Sequence, residues 1–309
     1  MVRNDSIIYA KGYGVTSITD RTLVTENSIF HSASISKLFT AQAIMELFEK
    51  KKISLDDRLI DILPNLKYAD NRVEDITIKS ILNHTSGIPD IRNYHWGNKN
   101  QSGTALEDFV LGLNLKLDAD PFAKYIYSNL GYDILGHVIE KVSGATFDDY
   151  LKENILNKNK MHNSDFRIFE IQDSLKTSPH SQRWISKKIY ERNTYPYTRE
   201  HAPSSTLNSS SKELSQWMIS FMKKLESEAS VNYYSEMTKP TLPHIGLGFQ
   251  LGSINSEKTI GHYGGDKGFR SYLIMIPEEK IGLVLLANCD YNEDFRQEIL
   301  HPVAKLMME

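Results

Sequence analysis

The chain has 309 residues, enough for two domains at roughly 150 residues each, or for one domain carrying a large insertion. Hydrophobic residues at 40% and charged residues at 24% suit a globular protein, while Gly (17) and Pro (10) are too sparse for a collagen-like or low-complexity chain. A net charge of −3 gives no basic surplus for nucleic acid or an anionic membrane, and the single cysteine excludes an internal disulfide and a multi-cysteine metal site.

The N-terminal run Met1-Val-Arg-Asn-Asp-Ser-Ile-Ile-Tyr-Ala10 lacks the apolar segment of a signal peptide. No apolar stretch approaches the ~18 residues of a membrane-spanning helix. As it stands the chain is expected in the cytoplasm; a longer natural N-terminus would imply export. A strand is expected over Ser6–Ala10, then a turn at Gly12-Tyr-Gly14. From Ser34 to Lys50, Ile35, Leu38, Phe39, Ile44, Met45 and Phe48 recur at three-to-four spacing, the stripe of a core-facing helix.

Residues 53–205 read as helices with long loops. Ser54-Leu-Asp-Asp57 and Thr146-Phe-Asp-Asp149 resemble capping boxes with Asp in place of Glu. Helices are expected over Thr77–His84 and over Ser128–Val142, the latter stopped by Gly144. The polar tract from Gln172 to Ser211 reads as loop. A helix follows over Ser211–Leu225, then strands at Leu247–Leu251, Lys258–His262, Arg270–Ile276 and Ile281–Ala287, with a hairpin turn at Pro277-Glu-Glu-Lys280. Cys289, at the end of the last apolar run, reads as a buried, inert thiol. A closing amphipathic helix spans Asn292–Met308. Strands at both chain ends with helices between predict an α/β sheet domain from residues 1–52 and 206–309, and a helical insertion domain over 53–205.

None of the ten histidines forms a His-x-x-x-His or His-x-His pair, so the sequence offers no metal site and no cofactor is expected. Gly12-Tyr-Gly14 lacks the third glycine and following helix of a dinucleotide loop. Ser34-Ile-Ser-Lys37 carries chemistry: residues i and i+3 share a helix face, and a neighbouring amine can take a serine's proton. The Ser-x-x-Lys spacing recurs at Ser209 and Ser220, so by itself it selects nothing. Tyr127-Ser-Asn129 is the only Tyr-x-Asn in the chain and precedes a helix. A phenol there can relay a proton, and an amide can orient lysine and substrate. His262-Tyr-Gly264-Gly265 ends a strand with two glycines that let a ligand approach the backbone closely.

In that order, Ser-x-x-Lys, Tyr-x-Asn and His-x-Gly resemble the serine β-lactamase and penicillin-recognising hydrolase superfamily. The closer resemblance is to its class C branch with D,D-peptidases, D-aminopeptidases and esterases. Ser28-Ile-Phe-His-Ser-Ala-Ser-Ile-Ser-Lys-Leu-Phe-Thr-Ala41, Leu82-Asn-His-Thr-Ser-Gly-Ile-Pro89 and Tyr127-Ser-Asn-Leu-Gly-Tyr-Asp-Ile-Leu-Gly136 are similar to family signatures, and the resemblance runs from about Ile7 to the end. It implies an α/β (α+β) fold with an antiparallel sheet flanked by helices. It also implies acylation of Ser34, proton transfer by Lys37 and Tyr127, and substrate binding by Asn129, His262, Gly264 and Gly265. The N–H groups of Ser34 and Gly265 would form the oxyanion hole, where one donor is typically worth ~100–1000-fold in rate.

Lysine ordinarily titrates near ~10.4, so a neutral Lys37 at pH 7 needs about three units of depression, roughly 4 kcal/mol. Burial and a protonated His262 are two sources; with a smaller shift, Tyr127 as phenolate becomes the base. The sequence leaves both open. The chain departs from the family's pattern twice: it starts at about the second strand, and Pro203-Ser-Ser-Thr-Leu207 has serines where relatives commonly carry two glycines. With His262 in place of lysine, the expectation is a serine hydrolase for a small-molecule amide, peptide or ester, with slow β-lactam turnover. The alternative is a catalytically weak ligand sensor or assembly scaffold. Oligomeric state is left open, and no nucleic-acid partner is expected.

Overall fold

The computed structural model describes residues 1–97, 100–226, 233–291 and 295–309. Its centre is a six-stranded antiparallel sheet made from the two ends of the chain. Across the sheet the strands run Ser6–Ile7, Val2–Arg3, Ile281–Ala287, Phe269–Ile276, Glu257–Asp266 and Gln250–Ile254. The N-terminal strand is shorter than the sequence suggested. Asn4 adopts a positive φ of 55°, the chain doubles back there, and Val2 pairs with Gly282.

Side chains alternate across a strand, and both faces of this sheet are covered. Leu273 and Met275 join the core around the long helix Ser36–Glu49, whereas Tyr272, Ile274 and Ile276 meet Leu300, Ala304 and Met307 of the closing helix Phe295–Met308. Double coverage explains why Phe269–Ile276 and Ile281–Ala287 are nearly continuous apolar runs. The expected start of the closing helix, Asn292, lies outside the described residues.

The Ser36–Glu49 helix is more central than a one-sided stripe implies: every residue from Ser36 to Leu47 is buried. Trp217 and Phe221 of the Ser211–Leu225 helix pack on one side, with Phe39 and Trp217 ring centroids 4.8 Å apart. The Asn129–Ser143 helix packs on another side. Its ends follow local rules: Ser128 Oγ accepts from Gly131 N at 2.9 Å, and Gly144 closes it with φ 74°.

Thr77 caps Ile78–Leu82 in a capping box with Ser80. Thr146 caps Phe147–Leu151, but Asp149 accepts from the threonine hydroxyl. Ser54–Asp57 starts no helix: Asp57 Oδ2 accepts from Ser54 N at 2.7 Å and closes a turn, and the next helix begins at Leu59. The polar tract after Gln172 contains a hairpin pairing His180–Gln182 with Ile189–Glu191, which an alternating apolar pattern would not reveal because its tip, Trp184 and Ile185, faces solvent. Cys289 is half-buried, and burial pushes its thiol up. Among the described residues no helix is long and apolar enough to cross a membrane.

Candidate active site

The chain enters the central helix through a constrained turn. After the short strand Phe30–His31, Ala33 takes φ 47°, which is unfavourable for a residue with a Cβ. Four hydrogen bonds hold it there. Ser32 N donates to Leu207 O at 2.7 Å and Ser271 Oγ to Ser32 O at 2.7 Å. Ser36 Oγ donates to Ala33 O at 2.7 Å while accepting from Leu207 N at 2.9 Å. The result is a half-exposed Ser34 in a single 3-10 turn, Ala33–Ile35, above a buried helix.

Three side chains and one carbonyl converge beneath it. Lys37 Nζ lies 3.1 Å from Ser34 Oγ, and Tyr127 OH donates to the same oxygen at 2.9 Å. Lys37 Nζ also donates to Asn129 Oδ1 at 2.5 Å and to the backbone oxygen of Ser204 at 2.7 Å. Asn129 is steered in turn by Asp90, whose Oδ1 accepts from its backbone N at 2.8 Å and its Nδ2 at 3.0 Å. Asp90 directly follows the Leu82–Pro89 signature, yet nothing in the sequence marked it as a partner of Asn129.

Burial sets the proton affinities. It draws the Lys37 amine down to about 7, against the opposing pull of Asp133, Asp90 and Asp266. It pushes the Tyr127 phenol well above its usual range. Of the two candidate bases, the amine is therefore the group that sheds its proton near neutrality. His262 is buried, and that burial pulls its imidazole down to about 3, so it is neutral at pH 7 and supplies no cation beside Lys37. The expected help from a protonated His262 is thus absent; desolvation alone outweighs the three carboxylates. His84, packed 4.5 Å from the Tyr127 ring, is likewise held well below its usual range by burial.

Strand register places the third motif. Tyr263 stacks on its cross-strand partner Tyr272 on the closing-helix side, so His262, opposite Leu273, points the other way, its ring 6.2 Å from that of Tyr127. Its Nδ1 donates to Tyr263 O at 2.5 Å. Gly264 is buried against the Ser32–Ala33 turn, and Gly265 is exposed beside it. A Cβ on Gly264 would sit 2.1 Å from Ser271 Oγ and 2.4 Å from Ser32 O. Gly264→Ala is accordingly expected to cost about 1–3 kcal/mol and to lower turnover as the turn shifts; thermal melts with an ester assay check this, and an unchanged melting temperature would contradict the contact.

Ser204 and Ser205 are both buried, Ser204 Oγ bonding to Ser205 Oγ at 3.1 Å and donating to His201 O at 3.3 Å. Two loops bring aromatic rings against His31. Tyr94 and Trp96 stack at 4.6 Å, and Trp96 and Tyr195 both meet the edge of His31. His31 Nε2 is 2.9 Å from Asp266 Oδ2.

Residues 1–306 match the family model described as Beta-lactamase. Penicillin-binding protein 4* of Bacillus subtilis (strain 168) is 27% identical over 313 residues, covering 95% of this chain and 68% of that protein. Protein flp of Staphylococcus aureus (strain MW2) is 26% identical over 93% of this chain, which spans 58% of its length. The solved octameric penicillin-binding protein homologue from Pyrococcus abyssi superposes with a TM-score of 0.86 at 27% identity, covering 100% of this chain and 72% of that one. With the family model spanning nearly the whole sequence, the chain belongs to the beta-lactamase family of serine hydrolases.

Proposed function

We propose that the protein hydrolyses a small amide, peptide or ester through an acyl ester on Ser34. The observation that carries this reading is the convergence of Lys37 Nζ and Tyr127 OH on one serine oxygen, at 3.1 and 2.9 Å. Neutral Lys37 takes the hydroxyl proton as Ser34 Oγ bonds to the substrate carbonyl carbon. The N–H groups of Ser34 and Gly265 receive the oxyanion. The proton passes by way of Tyr127 to the departing amine or alcohol as its bond to carbon breaks. Water then repeats the sequence: its proton goes to Lys37, its oxygen to the acyl carbon, and Ser34 regains its hydrogen. Asn129, fixed by Asp90, holds the amine and the substrate amide.

His262, neutral through burial, brings no charge to meet the carboxylate of a β-lactam. That favours neutral peptides and esters over rapid β-lactam turnover. Intact-mass spectrometry after exposure to a fluorescent penicillin, alongside p-nitrophenyl ester hydrolysis, tests the reading. The expected result is ester turnover with a slowly released penicilloyl adduct on the peptide carrying Ser34. Stoichiometric labelling with no turnover of either compound would identify a sensor, and neither adduct nor hydrolysis would overturn the hydrolase reading.

A further inference from the structure

One buried charged cluster beneath the site has no part in the steps above. Asp133 lies four residues beyond Asn129 on the same helix, so both side chains face the central helix, and it is fully buried. Its Oδ2 is 2.7 Å from His201 Nδ1, and its Oδ1 accepts from Ser204 N at 3.2 Å. The carbonyl of that same Ser204 accepts from Lys37 Nζ at 2.7 Å. One residue therefore carries both contacts: its N–H is held by Asp133 and its oxygen holds the amine. The neighbouring Pro203 carbonyl accepts from Thr40 Oγ1 at 2.7 Å, which pins the short Ala202–Ser205 helix to the central one.

His201 is itself boxed in. Its ring meets the edges or faces of Tyr94 at 4.9 Å, Phe109 at 4.9 Å and Trp96 at 6.0 Å, so three aromatic rings fix the group that grips Asp133. A buried carboxylate with a single histidine partner is costly unless the structure needs it. Here two donors satisfy it, and the contact network leads to Lys37.

We propose that Asp133, oriented by His201, is a positioning residue for Lys37, fixing Ser204, whose carbonyl holds the amine, and setting the charge around that contact. The inference rests on the acyl-Ser34 reading only in giving Lys37 a catalytic purpose. The groups facing Lys37 are Tyr127 and Tyr132, whose rings lie 5.0 and 5.6 Å from Nζ, the carboxylates of Asp133, Asp90 and Asp266, and the imidazoles of His84 and His262. Asp133 is the foremost of the three carboxylates opposing the loss of the lysine proton. Burial raises the Asp133 carboxyl above its usual range, opposed by His201, the Ser204 N–H and Lys37 itself; removing its ionised form lets the amine lose its proton at lower pH.

The test is the pH dependence of kcat/KM for a p-nitrophenyl ester, together with an NMR titration of isotopically labelled lysine that follows Lys37 with no need for turnover. Asp133→Asn keeps an oxygen for Ser204 N and removes the charge. Its acid limb and the Lys37 titration are both expected to move down by about one pH unit, with the plateau falling by less than about tenfold. Should Asp133→Asn fold poorly, Asp133→Ser, which also lacks the charge, is expected to shift the titration in the same direction. A folded variant whose Lys37 titrates as in wild type would overturn the proposal and leave Asp133 a structural residue. If the titration moves while neither protein shows hydrolysis dependent on Ser34, the positioning role stands and the hydrolase reading fails.

Discussion

Ser34→Ala is expected to lower kcat/KM for ester substrates by about 10⁴- to 10⁶-fold and to abolish the covalent adduct. Losing a serine nucleophile removes the acyl pathway altogether, and only the binding and oxyanion contributions remain. Stability should change little, because Ser34 is half-exposed and alanine keeps the backbone of the turn. The four hydrogen bonds that fix Ala33 use Ser32, Ser36, Leu207 and Ser271, none of which is altered. Single-turnover kinetics and a thermal melt on the same sample check both halves. A variant retaining a tenth of wild-type activity would place the nucleophile elsewhere.

Lys37→Met is expected to cost about 10³- to 10⁴-fold in activity, in line with loss of a general base, while reversing the order of stability with pH. The wild-type amine titrates near 7 when folded and near 10.5 when unfolded. Between these values the unfolded chain binds the proton and the folded one does not, so wild-type stability rises with pH across that window. Below pH 7 the cost of the buried amine is present in full, at most about 5 kcal/mol. Methionine escapes this cost but leaves the buried Asn129 Oδ1 and Ser204 O without the lysine donor, at about 1–2 kcal/mol each, while Ser34 Oγ keeps the Tyr127 hydroxyl. The variant should therefore be the more stable protein at pH 6.5. By pH 9.5 wild type should have gained about 3 kcal/mol on it and overtaken it. Urea midpoints at the two pH values decide the matter, and a difference that ignores pH would show that Lys37 stays charged in the fold.

The parts of the site legible in the sequence are those set by local geometry. Ser34 and Lys37 meet because i and i+3 share a helix face, and Asn129 sits at a helix start that Ser128 announces. The central strands Phe269–Ile276 and Ile281–Ala287 and the Ser211–Leu225 helix form where their apolar patterns place them, whereas the edge strand expected over Leu247–Leu251 forms at Gln250–Ile254. What stayed hidden depends on the chain returning from a distance. The Ser204 carbonyl is a backbone group with no sequence signature, and Asp90 reaches Asn129 across a loop. Asp133 looks like an ordinary helix-face acid until His201 arrives. The choice between amine and phenol was open for the same reason: residue types name the titrating groups, but burial, a property of the assembled core, sets the order in which they lose protons.

The sheet joins Val2 and Arg3 to Gly282 and Ile281, so strands far apart in sequence are neighbours in space. The central helix likewise depends on Trp217 and Phe249 for its cover. Contacts of such high sequence separation require large loops to close before they stabilise anything, which makes folding slow relative to a chain of local contacts. During synthesis the Ser36–Glu49 helix, apolar on most of its circumference, waits for most of the chain to appear behind it. Until then it is a surface for chaperones or for aggregation, and the tight burial that draws the Lys37 amine down is also what delays its shelter.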